Sequence, residues 1–310
     1  MNRIPDRIVI ASRQSRLALW QSGFIRSELQ RLYPACEVSI LGMTTRGDEI
    51  LDVSLSKIGG KGLFVKELES ALADGRADIA VHSAKDVPMV LPQGMVIAAF
   101  PQRADPRDCV VSHVCGNLGE LPDGSLIGTS SLRREAQLRE RHPGLRVAPL
   151  RGNVDTRLAK LDRGEFQAII LAAAGLVRLG LGARIRAMIA TSDSVPAPGQ
   201  GALAVECLAG RPELFEALSA LNCPQSESCV RAERALSRAL SGNCQLPLGA
   251  FAEADGNELC LRGIVAASDG SRVVRAEARG PANDPEGLGE RLAAMLRERG
   301  AGEILASLAR

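Results

Sequence analysis

Short apolar runs alternate with amphipathic stretches over the first two thirds of the chain, and most of the runs end on polar or basic turns. Arg7 to Ala11 has the unbroken apolar character of a strand buried on both faces. From about Ser15 to Tyr33, Leu17, Trp20, Phe24, Ile25, Leu29 and Leu32 keep helical spacing, and Pro34 stops the helix. Glu37 to Met43 predicts a second strand. Thr44 to Asp48 and the glycine-bearing stretch Ser56-Lys-Ile-Gly-Gly-Lys-Gly62 then form a long loop, of the kind that tends to carry function or to move. A helix from Leu63 to Ala73 and strands at Asp78 to Val81 and Met95 to Phe100 follow. This alternation predicts a parallel sheet with right-handed crossovers.

Pro101-Gln-Arg-Ala-Asp-Pro106 is a linker, after which the pattern starts again. Strands are expected at Cys109 to Ser112, Ser125 to Ile127, Arg146 to Pro149 and Ala168 to Ala172, with helices from Ser131, Val154 and Leu176 onward. A second Pro/Gly linker, Thr191 to Gly201, leads into an apolar run at Ala202 to Cys207. Two similar α/β halves joined by two linkers predict a hinged cleft, with the later strand returning to complete the first half. The expected division is residues 1–101 with 200–220 for the first domain and 106–195 for the second.

Beyond about Asn222 the texture changes. A charged helix at Ser226 to Leu240 precedes the loop Ser241-Gly-Asn-Cys-Gln-Leu-Pro-Leu-Gly249. Alternating runs at Ala250 to Ala254, Glu258 to Val265 and Arg272 to Ala278 are joined by hairpin signals, and a helix from Pro285 to Glu298 closes the chain. Residues 223–310 thus predict a small α+β domain with an antiparallel sheet.

Composition narrows the chemistry. The 310 residues carry a formal charge of only +2, yet the basic side chains are 33 Arg against 5 Lys, and arginine is the better bidentate partner for carboxylate or phosphate. Aromatic content of 3% argues against base-stacking nucleic-acid surfaces. Three His and no CxxC pair make a metal site an unpromising reading. The longest apolar run, Ala168 to Val177, is too short to span a bilayer, and Met1 to Arg7 has no apolar signal region. These features predict a cytoplasmic protein, with most of its eight cysteines buried as small hydrophobes.

The stretch Gly128-Thr-Ser-Ser-Leu-Arg-Arg134 is the most telling. It follows an apolar run and opens a run of helix formers, with Gly128 allowing a tight turn and hydroxyl residues capping the helix. Two arginines in a first helical turn oppose the helix dipole unless an anion binds there. Similar pieces recur at Ser12-Arg-Gln-Ser15, at His82-Ser-Ala-Lys-Asp86 and at Arg151-Gly-Asn-Val-Asp-Thr-Arg157. Each puts basic and hydroxyl groups just past the carboxyl end of an expected strand, the edge at which open α/β sheets bind ligands. At least six cations on one edge point to a small polyanion. Asp86 could steady a cation and exchange protons, or be one half of a surface pair with Lys85. Cys244 lies in a polar turn, where a thiol near arginines could bond an electrophile or stay inert.

Ala18-Leu-Trp-Gln21, Gly59-Gly-Lys-Gly-Leu-Phe-Val-Lys-Glu-Leu68, His82-Ser-Ala-Lys-Asp-Val-Pro88, Gly128 to Arg134, Leu150-Arg-Gly-Asn-Val154 and Asn243 to Gly249 together resemble the porphobilinogen deaminase (hydroxymethylbilane synthase) family, in family order from about Arg7 to the C-terminus. The resemblance implies two domains like periplasmic binding proteins, a third small domain, and a dipyrromethane cofactor held by a thioether to Cys244. It implies four head-to-tail condensations of porphobilinogen with loss of ammonia, then hydrolytic release of the linear tetrapyrrole, by a monomer without nucleic acid or membrane. Carried over by position, Asp86 is the catalytic carboxylate. Lys85, Asp86, Thr129, Ser130, Ser131, Arg133, Arg134 and Arg157 become cofactor contacts, and Arg13, Ser15, Arg151, Arg157, Arg178 and Gln200 substrate contacts, with Gln200 at the hinge. Lys57 and Lys61 fall in the mobile loop. Arg16, Asn243 and Pro198 depart from the family's usual residues, though Asn tolerates φ > 0 where Gly is usual.

Two other readings compete. A non-catalytic two-lobed anion-binding or effector-sensing protein would share the cleft but needs neither the Cys244 loop nor Asp86 nor a third domain. A phosphate-transferring enzyme built on Gly59 to Gly62 lacks the GxxxxGK[ST] spacing.

Overall fold

The computed structural model describes residues 4–45, 47, 64–240 and 246–308. The chain opens with β1 (Arg7–Arg13), α1 (Arg16–Leu32) and β2 (Glu37–Met43), followed by α2 (Lys66–Ala73), β3 (Ile79–Ser83) and β4 (Met95–Ala99). A second run comprises β5 (Asp108–Ser112), β6 (Leu126–Gly128), α3 (Leu132–Arg141), β7 (Arg146–Ala148), α4 (Val154–Asp162), β8 (Ala168–Ala172), α5 (Ala173–Arg178) and β9 (Ile185–Met188). Then come β10 (Leu203–Leu208), α6 (Pro212–Ser219) and α7 (Pro224–Ala239), the strands β11 (Leu248–Asp255), β12 (Glu258–Ala266) and β13 (Val273–Pro281), and finally α8 (Pro285–Glu298) and α9 (Ala301–Leu308).

Two five-stranded sheets form the lobes, in the orders β2-β1-β3-β10-β4 and β7-β6-β8-β5-β9. They are mixed, not parallel as the alternation of elements predicted. β10 runs antiparallel to β3 and β4, and β5 runs antiparallel to β8 and β9. The reason is the pair of linkers. Each carries the chain from one lobe into the fourth place of the other sheet, so the donated strand starts at the edge where its neighbours end. Leu203 accordingly pairs with Ser83 and Asp108 with Ala172. Both linkers therefore cross at the carboxyl edges of the parallel strands. They touch there: Ala104 N–H donates to the Gly201 carbonyl, and a Cβ on Gly201, whose φ is +86°, would come within 2.5 Å of the Ala104 oxygen.

The first sheet is packed on one face by α1 and α6, through Ile8, Ile10, Ile25, Leu29, Val205, Leu214 and Leu218. α2 covers the other face through Leu68, Ala71 and Leu72. The second sheet has two matching cores. The helix expected from Leu176 onward is instead α5, which begins at Ala173 and ends before Gly180 at φ +72°; residues 185–188 return as an edge strand. The third unit is the antiparallel sheet β11-β12-β13 with α7, α8 and α9 packed on it, so α8 does not close the chain. Among the described cysteines all are free, and Cys36, Cys109, Cys115, Cys207, Cys229 and Cys260 are buried. Among the described residues no helix is long and apolar enough to cross a membrane.

Candidate active site

The loops singled out in the sequence lie along the shared carboxyl edge. Ser15 caps α1 by accepting from Ala18 N–H, Ser131 caps α3 by accepting from Arg134 N–H, and Asn153 caps α4 by accepting from Thr156 N–H. Three helix N-termini are therefore aimed at the cleft from two lobes. Gly128 has a reason other than a tight turn. Its φ is not positive, but a Cβ there would sit 2.9–3.1 Å from Ile169, Phe166 and Leu150 side-chain carbons, so the strand end must be bare for the core to close.

Asp86 ends a short 3₁₀ turn after β3 and is exposed to the cleft. The turn is fixed from two directions: Ala84 N–H donates to the Ala202 carbonyl, and the buried guanidinium of Arg234 on α7 donates to the carbonyls of Val87 and Pro88. A cavity of about 60 Å³ beside it is lined by Arg13, Ser15, Gln21, Phe64, His82 and Asp86, among others. Arg13 lies over the Phe64 ring, 4.3 Å from its centroid.

Cations crowd around the Asp86 turn, from Lys85 on the same turn to Arg151, Arg157 and Arg178 of the second lobe. Burial pushes the Lys85 ammonium down to about 8 against the pull of Asp86, with the Arg134 charge adding to the push. Burial, then Arg134 and Arg151, push Arg157 down to about 10, Asp86 again pulling the other way. Burial alone brings Arg178 to about 10 and lowers Arg151. Arg157 gives its Nε–H to the Gly152 carbonyl, and Arg178 gives an Nη2–H to the Gly201 carbonyl. Crowded cations with depressed pKa values fit a ligand carrying several carboxylates, such as the acetate and propionate arms of a dipyrromethane, because each arm would relieve like-charge repulsion. Thr129 is buried and Ser130 exposed, its Oγ–H donating to the Leu150 carbonyl.

Arg133, Arg134 and Gln200 have partners within the protein. All three are buried, and the carboxylate that both arginines hold is the protein's own Asp108. Arg133 also donates to the Val195 carbonyl, and Arg134 to that of Ile170. The Gln200 amide donates to the Pro106 carbonyl and to Asp108. This knot ties α3, β5 and both linkers at the hinge. Asp108, at the first position of an apolar strand, was not singled out in the sequence, although a carboxylate entering a buried run is a signal in itself. The Glu206–His82 pair was missed for the same reason. Glu206 lies inside the run Ala202 to Cys207 and accepts from or donates to His82 Nε2 at 2.8 Å. Lys57, Lys61, Asn243 and Cys244 lie outside the described residues.

Arg16, the departure from family pattern, reaches across the cleft mouth: its Nη1 is 3.0 Å from Asp155 on α4 and its Nη2 donates to the Leu179 carbonyl. Pro198 sits in the second linker between residues bonded to the third unit, since Gly199 N–H donates to the buried Glu233 and Ala250 N–H to the Pro196 carbonyl.

Residues 8–216 match the family model of the porphobilinogen deaminase dipyromethane cofactor binding domain, and residues 228–298 that of the porphobilinogen deaminase C-terminal domain. The chain is 59% identical over 304 residues to the porphobilinogen deaminase of Methylobacillus flagellatus, covering 98% of each, and 60% identical over 303 residues to that of Chromobacterium violaceum, again covering 98% of each. Among solved structures it is similar to the aliphatic sulphonate binding protein SsuA of Escherichia coli (14% identity, 76% of this chain and 71% of that one, TM-score 0.41). It is also similar to a methionine-bound nutrient binding protein of Burkholderia cenocepacia (11%, 68% and 90%, TM-score 0.43). With both family models matched and relatives aligned over nearly the whole length, the chain belongs to the porphobilinogen deaminase family.

Proposed function

We propose that the cleft between the two lobes is where this chain carries out its family's reaction, the head-to-tail condensation of four porphobilinogens with loss of ammonia and hydrolytic release of the linear tetrapyrrole. The observation that carries the assignment is Asp86, an exposed carboxylate among crowded cations. When bound, a dipyrromethane on Cys244 supplies the terminal pyrrole carbon on which condensation starts. Arg13, Ser15, Lys85, Ser130, Arg151, Arg157 and Arg178 hold acetate and propionate arms, while the capped helix ends add N–H dipoles. Asp86 accepts from pyrrole N–H groups, steadies the methylene-pyrrolenine cation left when ammonia departs from the substrate, and moves the proton released when the new bond forms. Arg133, Arg134 and Gln200 act one step back, setting the angle between the lobes through Asp108.

The same reading makes the protein a cytoplasmic monomer that handles a small molecule, without nucleic acid or membrane; sedimentation velocity tests the monomer. Intact mass with peptide mapping tests the rest. The purified protein should carry the mass of two condensed pyrrole units on the peptide containing Cys244, acquired from porphobilinogen if absent, and a Cys244→Ser protein should not. A wild-type chain that stays unmodified after incubation with porphobilinogen would sink the reading.

A further inference from the structure

Beneath the Asp86 turn lies an acid–base cluster to which the reaction as described gives no task. β10 runs between β3 and β4, and its register sets Ala204 opposite His82 and Glu206 opposite Ala80, so His82 and Glu206 share a sheet face. Both are buried, with Glu206 fully enclosed, and their side chains meet at 2.8 Å. The second oxygen of Glu206, Oε1, has no hydrogen-bond partner among the described residues. Glu69 on α2 adds a second carboxyl to the same space. Burial first, and then Glu206, hold it above the usual carboxylate range, with His82 pulling the other way.

A buried carboxylate with an unmatched oxygen is costly as a bare anion, and a second acid beside it raises the cost. The 2.8 Å contact is a hydrogen bond, so one proton is held between the imidazole and the carboxyl. The charged and titratable groups around His82 are Glu206 on β10, Glu69 on α2, Asp86 at the end of its own turn and Arg13 on β1. His82, Asp86 and Arg13 line one cavity.

Each condensation lends and returns one proton. The C–N bond of an aminomethyl group breaks with its electron pair on nitrogen, and an amine held in its neutral form among the cleft's cations must gain a proton to leave as ammonia. The acceptor pyrrole carbon then forms the C–C bond and loses its own C–H proton, whose electrons restore the ring. We propose that the His82–Glu206 pair is the proton store for this exchange: it supplies the proton for ammonia by way of Asp86 and regains one from the acceptor carbon by the same carboxylate. In this scheme Glu206 is a positioning residue that keeps the proton on the pair.

The inference rests on the functional reading above. The test compares wild type with His82→Gln, Glu206→Gln and Glu206→Asp, each first checked by intact mass for its covalent pyrrole load and by thermal melting. The two Gln variants should load, lose about tenfold or more in kcat and change the KM for porphobilinogen less than about threefold, as expected for a lost acid–base group. The shape of their kcat–pH profiles should change, and Glu206→Asp should recover part of the loss. With three histidines in the chain, the imidazole signal that vanishes in His82→Gln can be followed by NMR, and its pH response should change in Glu206→Gln. Loaded variants with an unaltered profile shape, or an imidazole signal indifferent to residue 206, would overturn the store while leaving the function standing. A wild-type chain without turnover would overturn both. If Gln at 206 prevents folding, the kcat–pH profile of His82→Gln decides.

Discussion

At the scale of single residues, exposure separates the groups that do chemistry from those that hold shape. Asp86 is open to the cleft, and the backbone of its turn is fixed by Ala202 and Arg234, so its carboxylate contributes little to folding. Asp86→Asn should therefore melt within a degree or two of wild type while kcat falls by about 10²–10⁴, the range general acid–base groups supply. A near-normal rate would remove Asp86 from the mechanism. Lys85 makes a pH prediction. Its folded-state value of about 8 lies below the ordinary lysine range, and a bound carboxylate stabilises the charged form and raises it again. Binding of an arm should then take up protons around pH 8, and affinity should weaken as the pH rises through that value. Calorimetric titration with porphobilinogen in buffers of different ionisation enthalpy reads the uptake, and Lys85→Met should abolish it.

Elements were legible where one property decides them. β1, β3, β8 and β10 are short apolar runs because both faces of their sheets are covered. α1 was legible as a helix from its spacing, but its buried face is Ala18, Gln21, Ser22, Ile25 and Leu29, while Trp20 and Phe24 of the apolar stripe stay exposed. Direction was not legible, since apolar periodicity reports burial and says nothing of which way a strand runs; the reversal of β5 and β10 follows from the linkers. β9 escaped notice because, as an edge strand alternating half-buried and exposed residues, it carries little apolar signal. In the site, the basic and hydroxyl loops could be read from Ser12, Asp86, Gly128 and Arg151, because helix caps and strand ends leave local marks. That Arg133 and Arg134 turn inward could not be read, since their partner Asp108 is 25 and 26 residues away. Gly128 belongs to this scale. An added methyl would press on three core side chains at the end of β6, so Gly128→Ala should cost about 1–3 kcal/mol in urea unfolding. A neutral result would mean that the strand end has room after all.

The whole molecule turns on the place where its two linkers cross. Arg16 and Asp155 bridge the cleft mouth from opposite lobes, but both are largely exposed, and such pairs contribute at most about 1 kcal/mol. Asp108 is different. Wholly buried, it accepts from Arg133, Arg134, Ser194 and Gln200, side chains of α3 and of the second linker, while standing at the end of the first. Burial pushes its carboxyl up, but the two guanidinium charges and their hydrogen bonds outweigh that push and hold it well below the usual carboxylate range. A carboxyl lowered by folding contributes stability that is present above its unfolded value of about 4 and is lost as the pH falls below it toward the folded value. Asp108→Asn should thus lose about 3–5 kcal/mol at pH 7, because two buried guanidinium groups are left without their counter-charge. Its stability should also fall less steeply than wild type between pH 4 and pH 2. Urea unfolding across that range measures both effects. A variant as stable as wild type at pH 7, with the same acid slope, would mean that Asp108 does not govern the hinge and that Arg133 and Arg134 are held by the rest of their partners.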